Sequence, residues 1–134
     1  MNIKKINHIG IVVENLEQAS EIYRGCLGLE FLRIEMNAEF QCKIGFLQCG
    51  EVLIELIEPT GNGPSQKFLQ EHGEGLHHIC YEVDDIQNAL NIAKIKKMTE
   101  YNSYKNGAGD SKVFFLDSDC VCSVETEFVE LRSK

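Results

Sequence analysis

The 134-residue chain has no apolar run long enough for a membrane-spanning helix, so a helical membrane protein is not expected. It also lacks an excess of positive charge: 13 Lys and Arg face 21 Asp and Glu, a formal net charge of −8. A nucleic-acid binder needs a basic stripe, and that class is set aside. No charged-then-apolar leader with a cleavage site precedes the strand-like segment that begins after Met1–Lys5, so the expected location is the cytoplasm. In that reducing compartment, Cys26, Cys42, Cys49, Cys80, Cys120 and Cys122 are expected as thiols, not disulfides. Cys120 and Cys122 form a Cys-x-Cys pair. No second pair at matching spacing completes the roughly four ligands of a structural zinc site.

What the chain does have is an internal repeat. Ile6-Asn7-His8-Ile9-Gly10-Ile11-Val12-Val13 aligns with Leu76-His77-His78-Ile79-Cys80-Tyr81-Glu82-Val83, an offset of 70 residues. Beyond these segments Leu16 falls on Ile86, Ala19 on Ala89 and Ile22 on Ile92. Each copy reads strand, then helix. The first helix starts near Asn15, an N-cap type with Gln18 three residues on. Leu16, Ala19, Ile22, Tyr23, Cys26 and Leu27 follow at helical spacing, and Gly28 is the expected stop. The second helix starts near Asp85 and carries Ile86, Ala89, Leu90 and Ala93. Strand-like runs follow at 30–35, 42–49 and 51–57, and again at 99–104, 112–117 and 127–132.

The expected fold class is therefore α+β: paired βαβββ modules forming a curved, cleft-bearing mixed sheet. Module one spans about 1–58, a linker about 59–75 and module two about 76–134. Pro64 suits the first turn of a short linker helix carrying Phe68 and Leu69. Neither half has residues enough for a good core of its own, so residues 1–134 are read as one domain.

Strand parity then sorts the polar residues, because alternate side chains face opposite sides. Ile9, Ile11 and Val13 share a face that packs under a helix, as do Ile79, Tyr81 and Val83. His8 and His78 point the other way, and His77 points into the helix layer as an ordinary structural histidine. In Val52-Leu53-Ile54-Glu55-Leu56 the apolar set goes under the helix and Glu55 faces the cleft. In Phe128-Val129-Glu130-Leu131, Val129 and Leu131 go under the helix and Glu130 faces the cleft with Phe128. Glu127 has the parity of Val129; a β-bulge would reverse that orientation, which keeps Glu127 as runner-up for Glu130.

A lone strand histidine is ordinarily structural, and a lone strand glutamate is ordinarily solvated. Four such residues at twinned positions are a stronger signal. Two buried carboxylates need something to offset their charge. A single divalent metal held by His8, Glu55, His78 and Glu130 would do so, and two imidazoles with two carboxylates suit Co, Ni, Zn, Mn or Fe.

The chain resembles the vicinal oxygen chelate (glyoxalase/bleomycin-resistance) superfamily, and within it the methylmalonyl-CoA epimerase family. The resemblance is carried by the segment 6–13, by Tyr23-Arg24-Gly25-Cys26-Leu27-Gly28-Leu29, by Ile54-Glu55-Leu56-Ile57-Glu58-Pro59, by Lys67-Phe68-Leu69, and by the run from Glu74 to Ile86. It implies a metal on His8, Glu55, His78 and Glu130. It also implies epimerisation of a 2-methylmalonyl thioester through a metal-stabilised enolate, with Glu55 and Glu130 moving the proton. The implied substrate carrier is coenzyme A, and the implied assembly a homodimer. Lys67, Lys112, Lys105 and Arg33 are candidate phosphate partners by position only. Two departures stand out. Some epimerases carry a further glutamate on the third strand, where this chain has Lys43-Ile44-Gly45. The stretch 117–126 is longer than in the family and lacks its glycines.

Two other enzymes and one binding class compete. A glyoxalase I-type lactoylglutathione lyase also moves a proton beside a carbonyl and accommodates Glu55. An extradiol dioxygenase uses two His and one carboxylate, and a fourth ligand argues against it. A drug-sequestering protein of the same fold has no need of four ligand-type residues at twinned positions.

Overall fold

The computed structural model describes residues 1–132. They form two compact units, one of His8–His77 and one joining Met1–Asn7 to the chain from His78 onward. Strand β1 (Ile3–Val12) and strand β5 (Gly75–Val83) each run from one unit into the other. Among the described residues no helix is long and apolar enough to cross a membrane.

In the unit 8–77 the strand order is β2-β3-β4-β1, where β2 is Glu30–Asn37, β3 Cys42–Cys49 and β4 Val52–Pro59. β1 and β4 are parallel, with Gly10 opposite Glu55. β3 is antiparallel to both β2 and β4. Helix α1 (Leu16–Ser20) begins where the Asn15 side chain accepts from the Gln18 N–H at 2.9 Å. It continues as a π-helical stretch over Glu21–Cys26 and stops before Gly28, whose φ of +78° suits glycine. Val13, Leu16, Ala19, Leu47 and Leu56 make the core, with Ile11, Phe31 and Ile54 packed on it. The expected parity of β1 and β4 is thus the observed one. The far end of the helix differs: Ile22 and Leu27 are exposed. The Leu27 N–H bonds to the Ile22 carbonyl five residues back. That wider turn rotates the apolar stripe off the core. Pro64 opens α2 (Pro64–His72), as its position in the linker implied.

In the other unit the order is β5-β8-β7-β6, where β6 is Lys105–Asn106, β7 Lys112–Phe115 and β8 Thr126–Glu130. β5 and β8 are parallel, with Cys80 opposite Glu127, and β7 is antiparallel to β6 and β8. Helix α3 (Ile86–Ile95) is capped by Asp85, which accepts from the Asn88 N–H at 3.0 Å. It packs Ile86, Ala89, Leu90 and Ala93 against Val83, Phe114, Leu116 and Phe128.

Two expectations fail in this unit. Residues 99–104 are not a strand, and only the two-residue β6 follows them. The Thr99 hydroxyl donates to the Phe115 carbonyl at 2.7 Å and accepts from the Tyr101 N–H at 3.1 Å. These side-chain bonds replace a ladder, while Met98, Tyr101 and Tyr104 pack against the core. In β8 it is Phe128, not Val129 and Leu131, that packs with α3. Residues 126–129 are all buried, so hydrophobicity does not distinguish the faces. Leu131 lies beyond the strand and is exposed.

At Gly45 on β3 the Leu16 side chain of α1 packs directly over the sheet. A Cβ there would lie 2.8 Å from the Leu16 Cδ1 and 3.3 Å from the Phe31 ring. Gly45→Ala is expected to cost about 1–3 kcal/mol by overpacking. Urea denaturation reads this directly, and an unchanged midpoint would contradict the packing described.

Candidate metal centre

Each unit buries one imidazole against one carboxylate. In the unit 8–77, His8 Nδ1 lies 3.0 Å from Glu55 Oε2. Parallel pairing sets this up. His8 is opposite Leu53 and Gly10 opposite Glu55, so the two side chains lean toward each other along one face. In the other unit, His78 Nε2 lies 3.1 Å from Glu127 Oε1, with Ile79 opposite Thr126 and Cys80 opposite Glu127. All four side chains are below one-tenth exposed. The Phe115 ring stands edge-on to His78, with centroids 5.5 Å apart.

Three of the four residues expected to hold a metal therefore lie in these pairs, and Glu130 does not. Its Oε1 accepts from the Ile86 N–H at 2.9 Å, at the start of α3, and its Oε2 lies 3.8 Å from Lys112 Nζ. Glu58 is its twin. The Glu58 Oε1 accepts from the Leu16 N–H at 2.8 Å, at the start of α1, and Oε2 lies 3.5 Å from Lys43 Nζ. A carboxylate at a helix N-terminus satisfies an orphan N–H and meets the positive end of the helix dipole. The correct alignment of the closing strands thus sets Glu55 and Glu58 on Glu127 and Glu130. The parity reading matched Glu55-Leu56 to Glu130-Leu131 and so slipped by three residues. The signal that would have prevented this is the repeated spacing of two glutamates three apart.

Other expectations are placed as follows. The His77 ring packs edge-on against Phe68 of α2, with centroids 5.0 Å apart. Phe128 lies in the core rather than beside the His–Glu pair. Lys112 is engaged by Glu130 and lies 5.3 Å over the Tyr104 ring. Arg33 lies 4.2 Å over the Phe46 ring and bonds to Glu35 at 2.9 Å. It stands opposite Phe46, which stands opposite Glu55. On the third strand Ile44 is buried and Lys43 pairs with Glu58.

The donors of each pair, an imidazole nitrogen and a carboxylate, are of the kind that suits a borderline divalent ion such as Zn, Co, Ni, Fe or Mn. A carboxylate shielded from water is costly unless paired. Each imidazole supplies one partner, and a cation would offset the charge.

The model of the Glyoxalase/Bleomycin resistance protein/Dioxygenase superfamily matches residues 7–115. An ethylmalonyl-CoA/methylmalonyl-CoA epimerase of Cereibacter sphaeroides is 34% identical over 113 residues, covering 83% of this chain and 81% of its own. A lactoylglutathione lyase of Haemophilus influenzae is 36% identical over 133 residues, covering 96% of this chain and 94% of its own. Among solved structures, a variant Streptomyces coelicolor methylmalonyl-CoA epimerase in complex with 2-nitronate-propionyl-CoA superposes with a TM-score of 0.93. It shares 28% identity over 98% of this chain and 97% of that one.

The two glutamates of β8 separate by substitution. Glu130→Ala removes a helix cap and is expected to lower stability by about 1 kcal/mol while leaving metal affinity intact. Glu127→Ala is expected to weaken metal binding by at least about tenfold. Paired denaturation and metal titrations check this; the reverse pattern would favour Glu130 as the ligand.

Proposed function

Because the chain belongs to the glyoxalase/bleomycin resistance/dioxygenase superfamily, we propose that it is a metal-dependent epimerase of a methylmalonyl thioester, with coenzyme A as the carrier. The observation that carries the reading is the twinned burial of His8 with Glu55 and of His78 with Glu127. The epimerase relatives support it. On this reading the four residues share one divalent ion, so the two modules act as a single domain. The chain is read as a cytoplasmic homodimer.

The α-proton of a 2-methylmalonyl thioester is too weakly acidic to leave unaided. A bound divalent ion supplies a Lewis acid for the negative charge that develops on the thioester oxygen. The protein's own task is to move a proton on both faces of the α-carbon. Glu55 and Glu127 belong to different modules, and the reading gives each one face. One, as the carboxylate, would take the proton, and the other, entering the turn as the carboxylic acid, would give up its own to the opposite side; the two exchange protonation states, and the return turn resets them. His8 and His78 hold those carboxylates by their 3.0 Å and 3.1 Å contacts. The third-strand stretch Lys43-Ile44-Gly45 carries no carboxylate, and the reading gives the proton work to these two glutamates. Buried Phe46, opposite Glu55, and half-buried Phe115, against His78, would limit water at the two pairs.

A second reading, glyoxalase-type isomerisation of a glutathione hemithioacetal, is favoured by the Haemophilus relative. It uses the same proton transfer beside a carbonyl. A binding protein without catalysis is disfavoured, since it has no use for two buried carboxylates.

The test is chelation followed by reloading with cobalt. Metal content is expected at one ion per chain, and interconversion of the methylmalonyl-CoA epimers is expected only in the loaded protein. Glu55→Gln is expected to lower that rate by about 10²–10⁴. Full activity in Glu55→Gln would rule out the two-carboxylate scheme. Turnover of the hemithioacetal alone would establish the second reading instead.

A further inference from the structure

The two modules differ where their symmetry would otherwise be closest. Opposite Glu55 stands Gly10, which has no side chain, whereas opposite Glu127 stands Cys80. Cys80 is fully buried and has the same strand parity as His78 on β5. Its sulfur lies within 4.8 Å of a Glu127 carboxylate oxygen, and that carboxylate already contacts His78 at 3.1 Å. In module two the Glu127 carboxylate thus has an imidazole nitrogen and a thiol sulfur as neighbours, whereas in module one the residue opposite Glu55 has no side chain.

We propose that Cys80 is a further metal ligand, a soft thiolate that biases the site toward zinc and cobalt and away from manganese. This rests on the metal reading above and goes beyond it, since that reading uses only imidazole and carboxylate. Coordination forms a sulfur–metal bond and breaks the S–H bond. The proton leaves to solvent, and nothing is oxidised or reduced. Thiolate favours zinc and cobalt over manganese because it is the softer donor. The competing account treats Cys80 as a small apolar side chain that fills space. It predicts no spectroscopic trace of sulfur.

Cobalt loading separates the two, because thiolate–cobalt bonds give an intense near-ultraviolet charge-transfer band. The protein is used with Cys26, Cys49, Cys120 and Cys122, all exposed, replaced by Ser to remove surface binding. The band is expected in this protein and is expected to vanish in the same background with Cys80→Ala. The visible cobalt bands and one-to-one stoichiometry should persist in both. Cobalt and zinc affinity should fall by at least about tenfold on that change, with a smaller loss for manganese. Cobalt bound without the band, or a band that survives Cys80→Ala, overturns the role of Cys80 and leaves the metal site standing. No cobalt bound at all overturns both. Thermal unfolding of the apo forms, expected to be similar, shows that lost binding is not lost folding.

Discussion

The site depends on the cost of taking a carboxylate out of water. Glu55 and Glu127 are both buried, and neither would be tolerated there alone. The first compensation is local and visible: each meets one imidazole, across two parallel strands whose register is set by the ladder. Losing one member of such a pair strands a charge, which costs more than the pair contributes. The arrangement is therefore held by what its absence would cost. On the proposed reading a divalent ion would complete the compensation and supply the Lewis acid.

A second pair of glutamates keeps the first in place. Glu55 and Glu58 are three apart, as are Glu127 and Glu130, so on each strand the two side chains face opposite sides. One turns to the histidine. The other pins the first N–H of the helix that follows the histidine strand. β1 leads through Asn15 into α1, and β4 returns to hold the start of that helix. The His8–Glu55 separation is thus fixed both by strand pairing and by the helix cap. The same construction recurs in the second unit with Asp85, α3 and Glu130. Lys43 and Lys112 sit beside the two capping carboxylates.

Much of this was legible in the sequence. The repeat located the strand–helix starts, Asn15 and Asp85 marked the caps, and alternation in β1, β4 and β5 set His8, Glu55 and His78 on the face away from the helix-packed residues. Alternation works when one face is apolar and the other is not. It failed in β8, where Thr126, Glu127, Phe128 and Val129 are all buried. It failed differently at 99–104, where the hydroxyl of Thr99 supplies bonds that a strand would otherwise provide. The exposure of Ile22 and Leu27 follows from a π turn that a helical periodicity of 3.6 does not anticipate. The sequence marks Cys80 only as a reduced thiol; that it stands opposite Glu127 is set by the β5–β8 register.

The central claim is that carboxylates from both modules move one α-proton. The most direct test follows solvent deuterium at that carbon. Cobalt-loaded protein is given a single epimer of methylmalonyl-CoA in heavy water, and the α-proton signal is followed by NMR. The account predicts loss of that signal together with appearance of the opposite epimer carrying deuterium. A protein shown to hold its metal that leaves the α-proton in place would contradict it.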